Sequence, residues 1–225
     1  TKYYISSGGQ IMIDVFIKET GNTIIMTLLS SLIAFVIGGL LGVLLTFIKK
    51  GGLKENLTLY RILDVVINLI RSVPFVILLV VLMPYTRSLV GSSIGVKAMI
   101  VPLALAAIPF VGRLFENVFS EVDQNLIEMA QSLGASPFQI LKEVILVESW
   151  PLLIQNMAVA MVTILGYGAM AGFTGAGGLG MLAISYGYYR PRQDIMLIAV
   201  IGLVVLVQII EFIGNRLSQR LNHKK

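Results

Sequence analysis

Five stretches of this chain carry no charged side chain: residues 20–48, 72–86, 98–112, 149–189 and 195–210. Inside a bilayer no water is present to satisfy backbone N–H and C=O groups, so only helices and closed barrels can span it. About 20 mostly apolar residues cross as a helix. The first and fourth runs reach that length alone, and the others reach it with flanks such as residues 65–70, Leu114 and Phe115. A lipid-facing barrel would alternate in segments of about ten residues, and no such alternation is present. The chain reads as an all-α integral membrane protein.

Composition agrees. The chain is 56% hydrophobic and 13% charged, where soluble domains carry about 25% charge. The formal charge of +5 is the ordinary basic excess of membrane loops. No basic patch with interleaved aromatics points to nucleic acid. There are no cysteines, which excludes disulfides and thiolate metal sites. Residues 1–18 are mixed and polar, without a cleavable signal pattern.

The spans are expected at about 20–48, 59–84, 94–118, 149–172 and 194–215. The run 149–189 could cross twice by length, but glycines crowd its second half from Gly166 to Gly187 and make a poor continuous helix. Lys49, Lys50 and Lys54 follow the first span, and Arg216, Arg220, Lys224 and Lys225 follow the last. The positive-inside rule wants both clusters in the cytoplasm, which five spans satisfy. Residues 1–18 then form an extracytoplasmic segment, 19–216 the transmembrane domain, and 217–225 a cytoplasmic tail. Arg87, Lys97, Arg190 and Arg192 fall outside, against the trend. Tyr85, Tyr186, Tyr188 and Tyr189 suit the outer interface and Trp150 the inner one.

The longest polar island, residues 121–148, is thereby cytoplasmic. Asp123 or Asn125 caps a first helix, with Leu126, Ala130 and Leu133 on one face. Gly134 suits a left-handed helix stop. Ser136 then caps a second helix, with Pro137 at its first position and Gln139 completing a capping box. Phe138, Leu141 and Ile145 form its apolar face. Two short helices joined by a fixed elbow either lie passively on the headgroups or dock onto a partner.

The spacing Glu128-Met129-Ala130, three residues, Gly134, nine residues, Val144-Ile145-Leu146 resembles the EAA motif of type I ABC importer permeases. Met129 replaces the middle alanine and Val147 the terminal proline. The segments 71–75, 83–87, 108–110, 166–170 and 175–180 resemble the permeases of methionine importers, a likeness that covers about residues 20–215. The resemblance implies the type I importer permease fold, five transmembrane helices and a cytoplasmic coupling helix. Glu128, Met129, Ala130, Gly134, Ala135, Ser136 and Pro137 would then contact an ATP-hydrolysing subunit. It further implies a second copy of this chain, two ATP-binding subunits that carry ATP and Mg2+, and an external substrate-binding (lipo)protein. The setting would be a bacterial cytoplasmic membrane and the substrate methionine. Other amino acids, osmolytes and phosphonates use related permeases.

Other features are weighed on their chemistry. Gly175-x-Gly177-x-x-Gly180 matches a dinucleotide fingerprint in form, but no strand precedes it and no βαβ unit is possible. A close-packed external turn at the pore mouth is the better reading. No G-x-x-x-x-G-K-[ST] occurs, so the chain is not its own P-loop ATPase. Arg71 either snorkels to the inner interface or supports an inner gate, while Pro74, Pro102 and Pro109 are candidate helix bends. Gly38, Gly39 and Gly42 offer a face for close helix contact. Gln155, Asn156 and Thr163 either line a pathway or bridge helices. Glu116 and Asn117 are expected at the inner interface. No catalytic or metal-ligand cluster is present, and the lone His223 carries none. The rival classes are a gradient-driven transporter, which would want acids deep in its spans, and a structural membrane protein.

Overall fold

The computed structural model describes residues 10–190 and 192–221, with side chains from Met12 onward. Part of the expected extracytoplasmic segment, residues 1–9, and the tail beyond Leu221, with His223, Lys224 and Lys225, lie outside the described residues. Every regular element described is helical. In order these are α1 (Gln10–Ile48), α2 (Leu57–Ser72), α3 (Phe75–Val90), α4 (Val96–Ser120), α5 (Gln124–Ser132), α6 (Pro137–Gln139), a π-helical turn (Ile140–Ile145), α7 (Leu146–Met170), a 3-10 turn (Ala171–Thr174), α8 (Gly178–Gly187) and α9 (Gln193–Leu221). Residues 10–18, read as part of a mixed and polar N-terminal segment, are the first turns of α1.

Four helices are long and apolar enough to cross a membrane: Met12–Ile48, Val96–Ser120, Pro137–Thr174 and Gln193–Leu221. The stretch expected as a single second span, 59–84, is instead broken. Asn56 starts α2 by accepting a hydrogen bond from the Leu59 amide at 3.1 Å, and the helix ends at Val73-Pro74. Proline crowds the preceding residue out of the helical region. Val73 and Pro74 accordingly take extended backbone, with ψ of 123° and 134°. α2 and α3 pass the length test only as a bent pair, so five spans result when that pair counts as one.

The chain groups into two compact units, each drawn from several helices. The first holds Thr1–Ser31, Pro74–Ala104 and Met161–Ile209. Its core packs Leu179, Leu182 and Tyr186 of α8 with Ile195 and Ala199 of α9, and Val15 and Phe16 of α1 lie against them. Tyr186 belongs to this core. It is buried, with the Arg190 guanidinium 5.5 Å from its ring centre, while Tyr85, Tyr188 and Tyr189 are exposed.

The second unit holds Leu32–Val73, Leu105–Ala160 and Ile210–Lys225. Here α1 meets α4 along the expected glycine face. A Cβ on Gly42 would lie 2.6 Å from that of Phe115, and one on Gly38 would lie 2.9 Å from the Ile108 carbonyl oxygen. Only glycine permits that approach. Elsewhere long apolar faces stay open, with Leu40 of α1 and Ile201 and Phe212 of α9 among their exposed side chains. A protein in water would cover surfaces of that extent; such faces suit lipid or partner helices.

Candidate functional site

The elbow forms from local chemistry. The Asp123 carboxylate accepts from the Asn125 amide at 2.9 Å and opens α5. At the other end the Gly134 amide donates to the Gln131 carbonyl at 2.9 Å and the Ala135 amide to the Ala130 carbonyl at 3.1 Å. That pair of bonds is a Schellman stop, which needs a left-handed residue after the helix. Gly134 supplies it at φ +81°. Ser136 then exchanges bonds with Gln139: its amide donates to the Gln139 side chain at 2.8 Å, and its hydroxyl accepts from the Gln139 amide at 3.4 Å. Pro137 stands at the first helical position.

The elbow's tip is apolar and bare. Leu133 is 82% exposed, Phe138 70% and Met129 57%. Glu128, Gln131 and Ser132 are also exposed. Side chains of this type, open on a tightly fixed turn, suit a partner's groove.

The second helix is not short. α6 runs through the π-helical turn into α7, so one helix extends from Pro137 to Thr174. No helix breaker stands between Gln139 and Ser149 to end it. The apolar face also differs from the expected one. A period of 3.6 selects Phe138, Leu141 and Ile145, but in a π-turn the backbone bonds reach five residues back, and the Leu146 amide donates to the Leu141 carbonyl. Ile140 and Ile145, five apart, are the buried pair, while Phe138 faces outward.

The glycine-rich segment folds as a tight reversal. A Cβ on Gly180 would meet the Ala169 carbonyl oxygen at 2.3 Å, and one on Gly172 would meet the Met181 nitrogen at 2.4 Å. Gly177 and Gly178 have φ of +86° and +82°. No side chain of the segment itself caps α8. α1 does so instead: the Glu19 carboxylate accepts from the Gly178 amide at 2.6 Å, and the Thr23 hydroxyl accepts from the Leu179 amide at 2.8 Å. A carboxylate at a helix N-terminus also meets the positive end of the helix dipole. Both side chains are buried. Sequence reasoning missed this cap, although Glu19, Thr23, Thr27 and Ser30 recur at helical spacing. Glu19→Ala leaves the buried Gly178 amide without an acceptor. It is expected to cost about 1–3 kcal/mol, read as a lower melting temperature in detergent. Glu19→Gln keeps an acceptor oxygen and should lose less; equal losses would count against the cap.

Of the two residues expected at the inner interface, Asn117 is exposed and Glu116 is packed inside the chain. Glu116 is only 4% exposed. Arg113 donates to it at 2.6 Å through Nη1, to Asp64 through Nη2 and to the Tyr60 hydroxyl at 3.3 Å. Tyr60 donates in turn to Glu116 at 2.8 Å. One turn along α4, the Ser120 hydroxyl donates to the Glu116 carbonyl and accepts from Lys49 Nζ, both at 2.6 Å. Burial pushes the Lys49 ammonium below the usual lysine range, against the raising influence of Glu116.

The remaining candidates lie along α2, α4 and α7 and at the α2–α3 break. Arg71 is exposed in the last turn of α2, with no ion-pair partner among the described residues. Pro74 caps α3 at the break, and Pro109 lies within α4. Next to Pro74, Phe75 stacks on Tyr167 of α7 with ring centres 4.7 Å apart, joining two of the motif segments. Gln155 is exposed and Thr163 half-buried. Asn156 donates to the Leu152 carbonyl of its own helix at 3.0 Å.

Comparison with known proteins meets this geometry. Residues 38–223 match the family described as binding-protein-dependent transport system inner membrane component. The chain is 46% identical to the probable D-methionine transport system permease protein MetI of Vibrio cholerae, over 94% of each chain. It is 42% identical to the protein of the same description from Pasteurella multocida, over 92% of this chain and 95% of that one. Among solved structures, an inward-facing MetNI methionine ABC transporter superposes with a TM-score of 0.93 at 39% identity, covering 95% of this chain and 99% of that one. The chain therefore belongs to the family of binding-protein-dependent transport system inner membrane components, as a multi-pass permease subunit of a bacterial ABC transporter.

Proposed function

We propose that this chain forms, as a pair of copies, the membrane pathway of an ATP-driven methionine importer. The relatives named for D-methionine transport and the MetNI neighbour support methionine as substrate. Two ATP-binding subunits bind ATP and Mg2+ and hydrolyse the nucleotide, and an external binding protein delivers the substrate. The observation that carries this reading is the capped elbow, bare at its tip and continuous with a membrane-length helix. A partner that grips Met129, Leu133 and Phe138 moves α7 directly, with Glu128 as a polar contact and the turn of Ala135, Ser136 and Pro137 held in the grip. ATP then needs only to bias two arrangements of similar free energy. Arg71, Pro74 and Pro109 serve the inner gate and the helix bends, and Gln155, Asn156 and Thr163 face the pathway. The N-terminus is outside, the C-terminus cytoplasmic, and residues 121–148 lie on the ATPase side.

Purification of the chain from detergent, with copurifying subunits identified by mass, tests the assembly. An ATPase at equal stoichiometry is expected, and a chain that purifies alone would contradict it. Orientation has its own test, aided by the absence of native cysteines. In cells that lack the ATPase subunit, Ser136→Cys should resist a membrane-impermeant thiol reagent while the cells are intact and react after permeabilisation. Labelling in intact cells would overturn the orientation.

A further inference from the structure

We infer that Arg113 is a positioning residue for transport, carrying displacement of the elbow to α2 through its fork on Glu116 and Asp64. This rests on the coupling role proposed above. The starting observation is how little holds α2. It buries only Ile67, while Ile62, Val65 and Leu69 are more than half exposed. Apolar packing within the chain therefore fixes neither its depth nor its rotation. The polar cluster does. Tyr60 and Asp64 stand one turn apart on α2, and Arg113 and Glu116 one turn apart on α4.

The arrangement suits transmission better than mere adhesion. The guanidinium is planar, and its donors are fixed in a fork. Its two ends hold carboxylates on two different helices, and Tyr60 closes the ring of bonds. A group held from two sides at fixed angles passes on rotation as well as translation, which a point charge or an oily contact does not. The cluster also lies close to the elbow. From Glu116 it is one helical turn to Ser120, where Lys49 ties in the end of α1, and α5 begins at Gln124. At its other end α2 leads into the Val73-Pro74 break, where the chain has already given up helical bonds. Elbow, α4, Arg113 and α2 thus form one contiguous chain of contacts. A charged cluster partly withdrawn from water is a poor source of net stability, so its fixed geometry is the better account of its presence.

The test uses the full transporter, permease with ATPase and binding protein, in liposomes. Arg113→Lys keeps the charge and removes the fork. Asp64→Leu, at a side chain 37% exposed, keeps roughly the shape and removes the acceptor of one arm, and it serves if the lysine variant fails to assemble. For either variant the expected result is ATPase copurification at wild-type stoichiometry and hydrolysis within about twofold of wild type. Uptake per ATP should fall about tenfold or more. A spin label at Ile62 should report ATP-dependent movement of α2 in the wild type and not in the variants. Unchanged uptake per ATP with α2 still moving would overturn the inference, as would hydrolysis and uptake falling in proportion. Wild-type liposomes without ATP-driven uptake would instead contradict the proposed function itself.

Discussion

Gly180→Ala is expected to remove most of the folded protein from the membrane. The added methyl would lie 2.3 Å from the Ala169 carbonyl oxygen and 2.4 Å from the Ala169 Cα. Those atoms are backbone, so no side chain can rotate away to make room. Overpacking commonly costs about 1–3 kcal/mol when neighbours can yield, and here the neighbour is the end of α7. The approach is also tight from the other side, since a Cβ on Gly172 would lie 2.5 Å from the Gly180 carbonyl carbon. Gly166→Ala provides the control. A Cβ there meets nothing within 4 Å, and alanine is favoured over glycine in a helix by about 1 kcal/mol. Melting in detergent should show a lower transition or none for Gly180→Ala, and an unchanged or higher one for Gly166→Ala. Two similar curves would show that the reversal has slack.

Gly134→Val should leave the protein inserted and abolish most uptake. No atom lies within 4 Å of the position a Cβ would take, so nothing clashes with a larger side chain. The difficulty is the backbone alone, at φ +81°, where a β-branched residue is a genuine outlier. Relief comes by opening the Schellman turn, which swings Met129 and Leu133 away from Phe138. A shift of about 1.4 kcal/mol already changes an equilibrium tenfold, and initial uptake is expected to fall by at least that factor at equal membrane abundance. Asparagine tolerates the left-handed region, so Gly134→Asn should retain most uptake. Normal transport by Gly134→Val would mean that the elbow need not be fixed.

Both residues were visible in the sequence, for different reasons. The Gly134 stop and the Ser136–Gln139 box are local, built from residues three or four apart, and the structure has them as read. The glycine face at Gly38 and Gly42 was also legible, because close helix contact needs small residues at that spacing. Two things were not local and were missed. The extension of the second elbow helix into α7 depends on a π-turn, which changes the period and so exchanges Phe138 for Ile140 on the buried face. The bonds of Glu19 to Gly178 and of Arg113 to Asp64 join residues far apart in the chain. From sequence neither acid points to the helix it bonds. Burial, which gives those bonds their value, appears only when the helices are placed together. The break at Val73-Pro74 lies between these cases: the proline was noted as a bend, yet it ends one helix and starts another.

Accumulation of radiolabelled methionine in liposomes containing the chain, its ATPase and its binding protein is the most direct measurement. The expected result is uptake that requires ATP inside the ATPase compartment and all three proteins, without any imposed ion gradient. Uptake that ignores ATP and follows a proton or sodium gradient would contradict the importer reading. Preferential accumulation of a different solute would contradict methionine as its substrate.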